Sequence, residues 1–75
     1  MALLPSLNGR EVVNAFAGAD WQFARQRGSH MILVKDDHIA TLSVPDHKEV
    51  AKGTLRSLIR SSGLTVHEFL SLVGK

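Results

Sequence analysis

His30 is the side chain whose type and neighbours best suit it to move a proton. It follows Arg25 and Arg27, leaves a Gly28-Ser29 pair and opens an otherwise apolar run, Met31-Ile32-Leu33-Val34. An imidazole titrates near 6.5, so it takes or gives a proton at neutral pH. Cations close to such a ring favour its neutral form, which a general base needs. Set against RNA, a base of this kind removes the 2′-hydroxyl proton so that the oxygen attacks the adjacent phosphorus. Arg25 and Arg27 would then stabilise the charge that develops there. The bland alternative is a structural histidine.

Other candidates gather around this one. Lys52, Arg56 and Arg60 recur every fourth residue and so share one face of a helix, and Lys48 lies in the loop before it. None of the three has an acidic residue among them at i±4, which favours a phosphate track over a merely solvated face. Ser29, in the turn itself, joins them as a candidate phosphate contact. His47 would serve as a second proton carrier or as a phosphate-binding group. His30 and His47 with Asp46 or Glu49 make a poor metal set, so no metal is expected. His38 falls at the far end of a hairpin and His67 in the first turn of a last helix, both away from this group. There is no phosphate-cradling glycine loop, no cysteine nucleophile and no Gly-x-Ser-x-Gly elbow.

The elements that must position these residues can be read from their punctuation. Asn8 caps a first helix over about residues 9–17, with Glu11 completing a capping box and Leu7 and Val12 at the staple positions. Its apolar stripe is Val12, Val13, Phe16 and Ala17, and Gly18 stops it. From Trp21 the period becomes two, giving a first strand to Arg27 and a tight turn at Gly28-Ser29. A second strand runs His30–Lys35, a turn falls at Asp36-Asp37, and a third strand spans His38–Val44, ended by Pro45. That second turn pairs Lys35 with His38 and therefore His30 with Ser43, bringing His47 near His30. A two-residue turn at Gly28-Ser29 puts His30 on the face of Trp21 and Phe23, whereas a glycine bulge there reverses it.

After a polar loop, a second helix covers Lys52–Ser62 with Leu55, Leu58 and Ile59 inward and Gly63 closing it. Thr65 and Glu68 repeat the capping box for a third helix over about 66–73, burying Phe69, Leu70 and Val73. The fold class is α+β, in the order α-β-β-β-α-α, with helices one and two on one face of a three-stranded antiparallel sheet and the other face open. The order matches the double-stranded-RNA-binding fold, though fold does not fix function.

Composition sets bounds. The 75 residues read as one domain, 1–75, with a thin core. Nine Lys and Arg against seven Asp and Glu leave a net charge of only +2, so any case for nucleic acid rests on placement. There is no cysteine, which suits a reducing cytoplasm, and no run long enough to span a membrane. Met1 to Pro5 lacks the basic region of a signal peptide.

Three segments together carry a family resemblance: Arg25-Gln26-Arg27-Gly28-Ser29-His30, then Val44-Pro45-Asp46-His47, then Lys52-Gly53-Thr54-Leu55-Arg56-Ser57-Leu58-Ile59. With the opening Leu4-Pro5-Ser6-Leu7-Asn8-Gly9-Arg10-Glu11-Val12, they closely resemble the HicA (YcfA-like) toxins of prokaryotic toxin–antitoxin pairs. The resemblance implies a double-stranded-RNA-binding-like fold, metal-independent cleavage of mRNA and inhibition by a HicB-type antitoxin, with no small-molecule cofactor. It places the catalytic histidine at His30 and a supporting one at His47. Many relatives carry a second histidine directly after the first, where this chain has Met31. Two further readings stand beside it: a non-catalytic RNA-binding module, and a decayed toxin kept only to bind its antitoxin.

Overall fold

The computed structural model describes residues 4–74. The reading of Met1–Pro5 falls largely on residues 1–3, outside the described residues. The elements run α1 (Gly9–Ala17), β1 (Gln22–Arg27), β2 (His30–Val34), β3 (Leu42–Pro45), α2 (Lys52–Ser62) and α3 (Val66–Leu72). The strands form one antiparallel sheet in the order β1-β2-β3, so the expected α+β class and element order hold.

Both capping boxes form as their spacing predicts. The Glu11 backbone N–H donates to the Asn8 side chain at 2.8 Å, and the Asn8 N–H donates to the Glu11 carboxylate at 2.9 Å. At α3 the Glu68 N–H donates to the Thr65 hydroxyl (3.0 Å) and the Thr65 N–H to the Glu68 carboxylate (2.8 Å). Hydrogen bonds from Thr65, first its backbone N–H and then its side chain, hold the Glu68 carboxyl below its usual value. Gly63 ends α2 with φ 84°, the left-handed stop expected of it. Gly18 instead stays right-handed, at φ −67°. The Leu72 side chain packs there, where a Cβ would lie 3.1 Å from its Cδ2.

A single cluster of buried side chains joins the elements, centred on Val12, Phe16, Leu33, Leu42, Leu55 and Phe69. The Phe16 and Phe69 rings stand 5.0 Å apart at 51°, tying α1 to α3. Within α1, Ala15 is buried and Ala17 exposed, the reverse of the expected stripe. In α3 only Phe69 is fully buried; Leu70 and Val73 are half-buried, because the helix ends at Leu72 and Val73 is already extended. Helix α1 packs on all three strands, whereas α2 meets β3 and α3 but neither β1 nor β2. Among the described residues no helix is long and apolar enough to cross a membrane.

The third strand is shorter than its sequence suggests. His38–Thr41 leave the ladder, and β3 begins only at Leu42. The turn at Asp36-Asp37 exists, with the His38 N–H donating to the Lys35 carbonyl (3.2 Å) and Asp37 at φ 65°. The chain then swings away, because His38 packs edge-on against the buried Trp21 (4.9 Å between centroids) and its ring meets the Ser61 carbonyl at 3.2 Å. His30 therefore pairs with Pro45, not Ser43. A shift of two residues keeps every side chain on its expected face, since the strand period is two.

The start of α1 is locked against the end of the sheet. The Gly9 N–H donates to the His47 carbonyl (2.9 Å), and the Val50 N–H donates to the Leu7 carbonyl (2.8 Å). A Cβ on Gly9 would collide with the Pro45 carbonyl oxygen and approach Met31 Cε to 2.9 Å. Alanine is the better helix former by about 0.8–1.0 kcal/mol, but a backbone carbonyl cannot yield as a side chain can. Gly9→Ala is therefore expected to destabilise the fold by about 1–3 kcal/mol in urea unfolding. An unchanged or higher midpoint would show that α1 can lift away freely.

Candidate functional site

Trp21, Phe23, Arg25 and Arg27 alternate perfectly in sequence, and an unbroken strand would put all four on one face. It does not. Phe23 pairs with Leu33, but Arg25 pairs with Ile32, so Ala24 is an extra residue in a β-bulge. Before the bulge, Trp21 and Phe23 lie on the helix-covered side. After it, Arg25 and Arg27 lie on the opposite, open side, across from Ile32 and His30. The turn is the two-residue one, with Gly28 at φ 57° where a tight hairpin needs it. His30 nonetheless ends on the face opposite Trp21 and Phe23, because the reversal occurs at Ala24 and not at the glycine. The bulge thus lets one strand bury an indole and present two guanidinium groups beside an imidazole.

His30 and both arginines are exposed on this open face, alongside Ser43. Around them, one end of the sheet is closed by backbone. The Asp46 N–H donates to the Ser29 carbonyl at 2.7 Å. The Gln26 amide nitrogen donates to the Gly28 carbonyl and to the Asp46 carboxylate, both at 3.2 Å. These bonds pin the β1–β2 turn to the β3–α2 loop, so Ser29 is held through its main chain. Among the described residues only the ring of His38 enters a hydrogen bond, which leaves the His30 and His47 rings free. Nor, among the described residues, do three His, Cys, Asp or Glu side chains gather to hold a metal ion.

His47 and Lys48 do come to the same end of the molecule, but on its flank. The chain leaves the sheet after Pro45, the residue opposite His30, and turns toward the start of α1. There His47 and Lys48 border a shallow concavity of about 280 Å³ with Asn8, Arg10 and Asp46. Arg10 escaped the sequence reading. Its only signal was its place two residues after a cap, which puts it on the first turn of α1 facing that loop.

The α2 stripe is exposed as expected, yet it does not converge on His30 as a whole. Lys52 opens α2 directly beyond the His47–Lys48 loop, on a first turn with no acidic residue and no side-chain cap. Arg56 and Arg60 run on toward the α2–α3 corner, where they border a second concavity with Ile59, Leu64 and Val66. A roomier concavity of about 460 Å³ lies at the other end of the sheet, rimmed by Asp20, Asp36 and Asp37 against the single cation Lys35. The excess of carboxylates there disfavours a polyanion, so the end that carries His30, Arg25 and Arg27 is the better site for one.

The family model described as the HicA toxin of bacterial toxin-antitoxin matches residues 9–64. No curated protein and no solved structure matches the chain. The match spans α1, the whole sheet and α2, and so takes in His30, the arginines of β1, His47 and the basic stripe.

Deleting Ala24 tests the architecture of the site. Without the extra residue, either Trp21, now 2% exposed, must leave the core or the arginines must enter it. We expect a loss of at least about 3 kcal/mol in urea unfolding, with tryptophan emission shifted to the red. A loss under about 0.5 kcal/mol would contradict the assignment of faces.

Proposed function

Since this chain belongs to the HicA toxin family of bacterial toxin–antitoxin pairs, we propose that it is a ribonuclease that cleaves messenger RNA with His30 as general base. The observation that carries this reading is the co-facial arrangement of Arg25, Arg27 and His30, created by the bulge at Ala24. A free ring nitrogen of His30 takes the proton of a 2′-hydroxyl, and the 2′-oxygen attacks the adjacent phosphorus. The bond from phosphorus to the 5′-oxygen breaks, and that oxygen leaves with a proton from solvent, which the open face admits. The product ends are a 2′,3′-cyclic phosphate and a 5′-hydroxyl. Arg25 and Arg27 stabilise the extra negative charge on the phosphoryl oxygens. Ser29, His47, Lys48 and Lys52 hold neighbouring phosphates, and Arg56 and Arg60 extend the track. The step uses no cofactor and no metal ion. The element order, shared with double-stranded-RNA-binding domains, supports an RNA substrate at the level of fold alone.

The same face suggests where the antitoxin acts. A protein of HicB type that covers His30 and the Lys48–Lys52 approach would block the phosphate path, the simplest form of inhibition. Charge reversal at Lys52 and Arg56 together is expected to weaken antitoxin binding by about tenfold or more in a titration at low salt. Unchanged affinity would place the antitoxin elsewhere.

A second reading, a non-catalytic RNA-binding module, draws on one observation: among the described residues no side chain hydrogen-bonds to the exposed His30 ring. The deciding experiment is cleavage of a long RNA by wild type and His30→Ala, with excess EDTA throughout. We expect the wild type to cut and the variant to lose about 10²–10⁴-fold in rate, the usual worth of general acid–base catalysis. Equal cutting by both would remove His30 from catalysis. RNA binding without cutting by either would favour the binding module.

A further inference from the structure

We propose that the concavity between α1 and the free edge of β1 receives one unpaired base of single-stranded RNA, stacked on Phe23. Phe23 lies on the helix side of the sheet, opposite the fully buried Leu33, yet it remains 54% exposed. A single exposed aromatic would mean little by itself. Its surroundings give it meaning. The ring borders a concavity of about 240 Å³ together with Arg10, Val13, Asn14, Gln26 and Met31. That is smaller than the roughly 300 Å³ at which pockets for whole small molecules begin, and it suits one flat ring.

The lining matches a nucleobase in chemistry. The face of Phe23 offers a stacking platform that every base can use. The side amides of Asn14 and Gln26 each carry a donor and an acceptor, as base edges do. Because the Gln26 nitrogen is committed to the Gly28 carbonyl and the Asp46 carboxylate, its carbonyl oxygen is left to accept. No acidic residue lines the concavity, and Arg10 supplies a cation.

Its position ties it to the reaction end of the sheet. Arg10 also borders the concavity that holds His47 and Lys48. Gln26 stands between Arg25 and Arg27 in β1 but pairs with Met31, so it faces the helix side while they face His30. A strand with phosphates along Lys48, His47 and Arg10 can therefore turn one base over the sheet edge. A paired, stacked base cannot do so, which makes single-stranded RNA the substrate class. The proposal rests on the RNA reading above.

The test is binding of a short 2′-O-methyl RNA, which lacks the free 2′-hydroxyl and stays intact, beside the same backbone with abasic residues. Wild type, Phe23→Ala, Phe23→Leu and Phe23→Trp are compared, with thermal unfolding to confirm that each is folded. Phe23→Ala and Phe23→Leu should weaken binding of the base-bearing strand roughly tenfold, as loss of one stacked base does, while Phe23→Trp restores it. On the abasic strand all four should bind alike. Wild-type affinity in the alanine and leucine variants would overturn the base site while leaving the RNA reading intact. No binding of either strand by wild type would end both. If the Phe23 variants lose affinity for the antitoxin and not for RNA, the concavity is a protein-docking site and the proposal falls. Should Phe23→Ala fail to fold, the leucine and tryptophan variants decide.

Discussion

One extra residue in an edge strand determines what this molecule can present. A β-strand alternates strictly, and the stretch from Trp21 through β1 must do two incompatible things within a few residues: deliver Trp21 to the core and expose Arg25 and Arg27 beside His30. Without an irregularity, the apolar and cationic positions would share a face, and one set would be misplaced. Burying two unpaired guanidinium groups, or expelling a buried indole, costs several kcal/mol, a large part of the stability of so small a chain. The bulge at Ala24 removes the conflict. It also breaks up the free edge of the sheet, where regular pairing with another chain would otherwise be invited.

Much of the architecture was legible because it is written in local rules. Asn8 with Glu11 and Thr65 with Glu68 each place a helix start to the residue, since two hydrogen bonds must be satisfied by those side chains. Gly63 likewise stops α2. What escaped was decided by contacts between distant parts. Strand β3 lost its first residues because His38 finds Trp21 and the Ser61 carbonyl, partners no local pattern announces. The bulge is invisible for the same reason: Trp21 to Arg27 alternates without a flaw, and only the competition for the core reveals where the alternation must break. As for the site, the residue types near His30 could be read directly, but their faces could not. Arg10 was missed because it sits beside a helix cap, where sequence reading looks for backbone partners and not for a charge.

Charge is placed here with economy. A net charge of +2 is modest, yet the cations of β1, the β3–α2 loop and the first turns of α1 and α2 outnumber the acids such as Asp46 at one end of the sheet, while Asp20, Asp36 and Asp37 outnumber Lys35 at the other. The molecule is thus polarised along its sheet, and an approaching polyanion is oriented before it makes contact. The family match and this polarity point the same way, although they rest on different observations.

The lock between Gly9 and the His47 carbonyl, reinforced by Leu7 and Val50, also has a temporal side. It joins segments that leave the ribosome far apart in time, and contacts of long sequence separation close late because the intervening chain must first be ordered. The first helix and the β1–β2 hairpin can take shape while synthesis continues, but the flank that carries His47 and Lys48 has nothing to rest on until the chain beyond Val50 emerges. A product cut short before Val50 therefore holds the arginines of β1 without the flank that lies beside them in the folded chain.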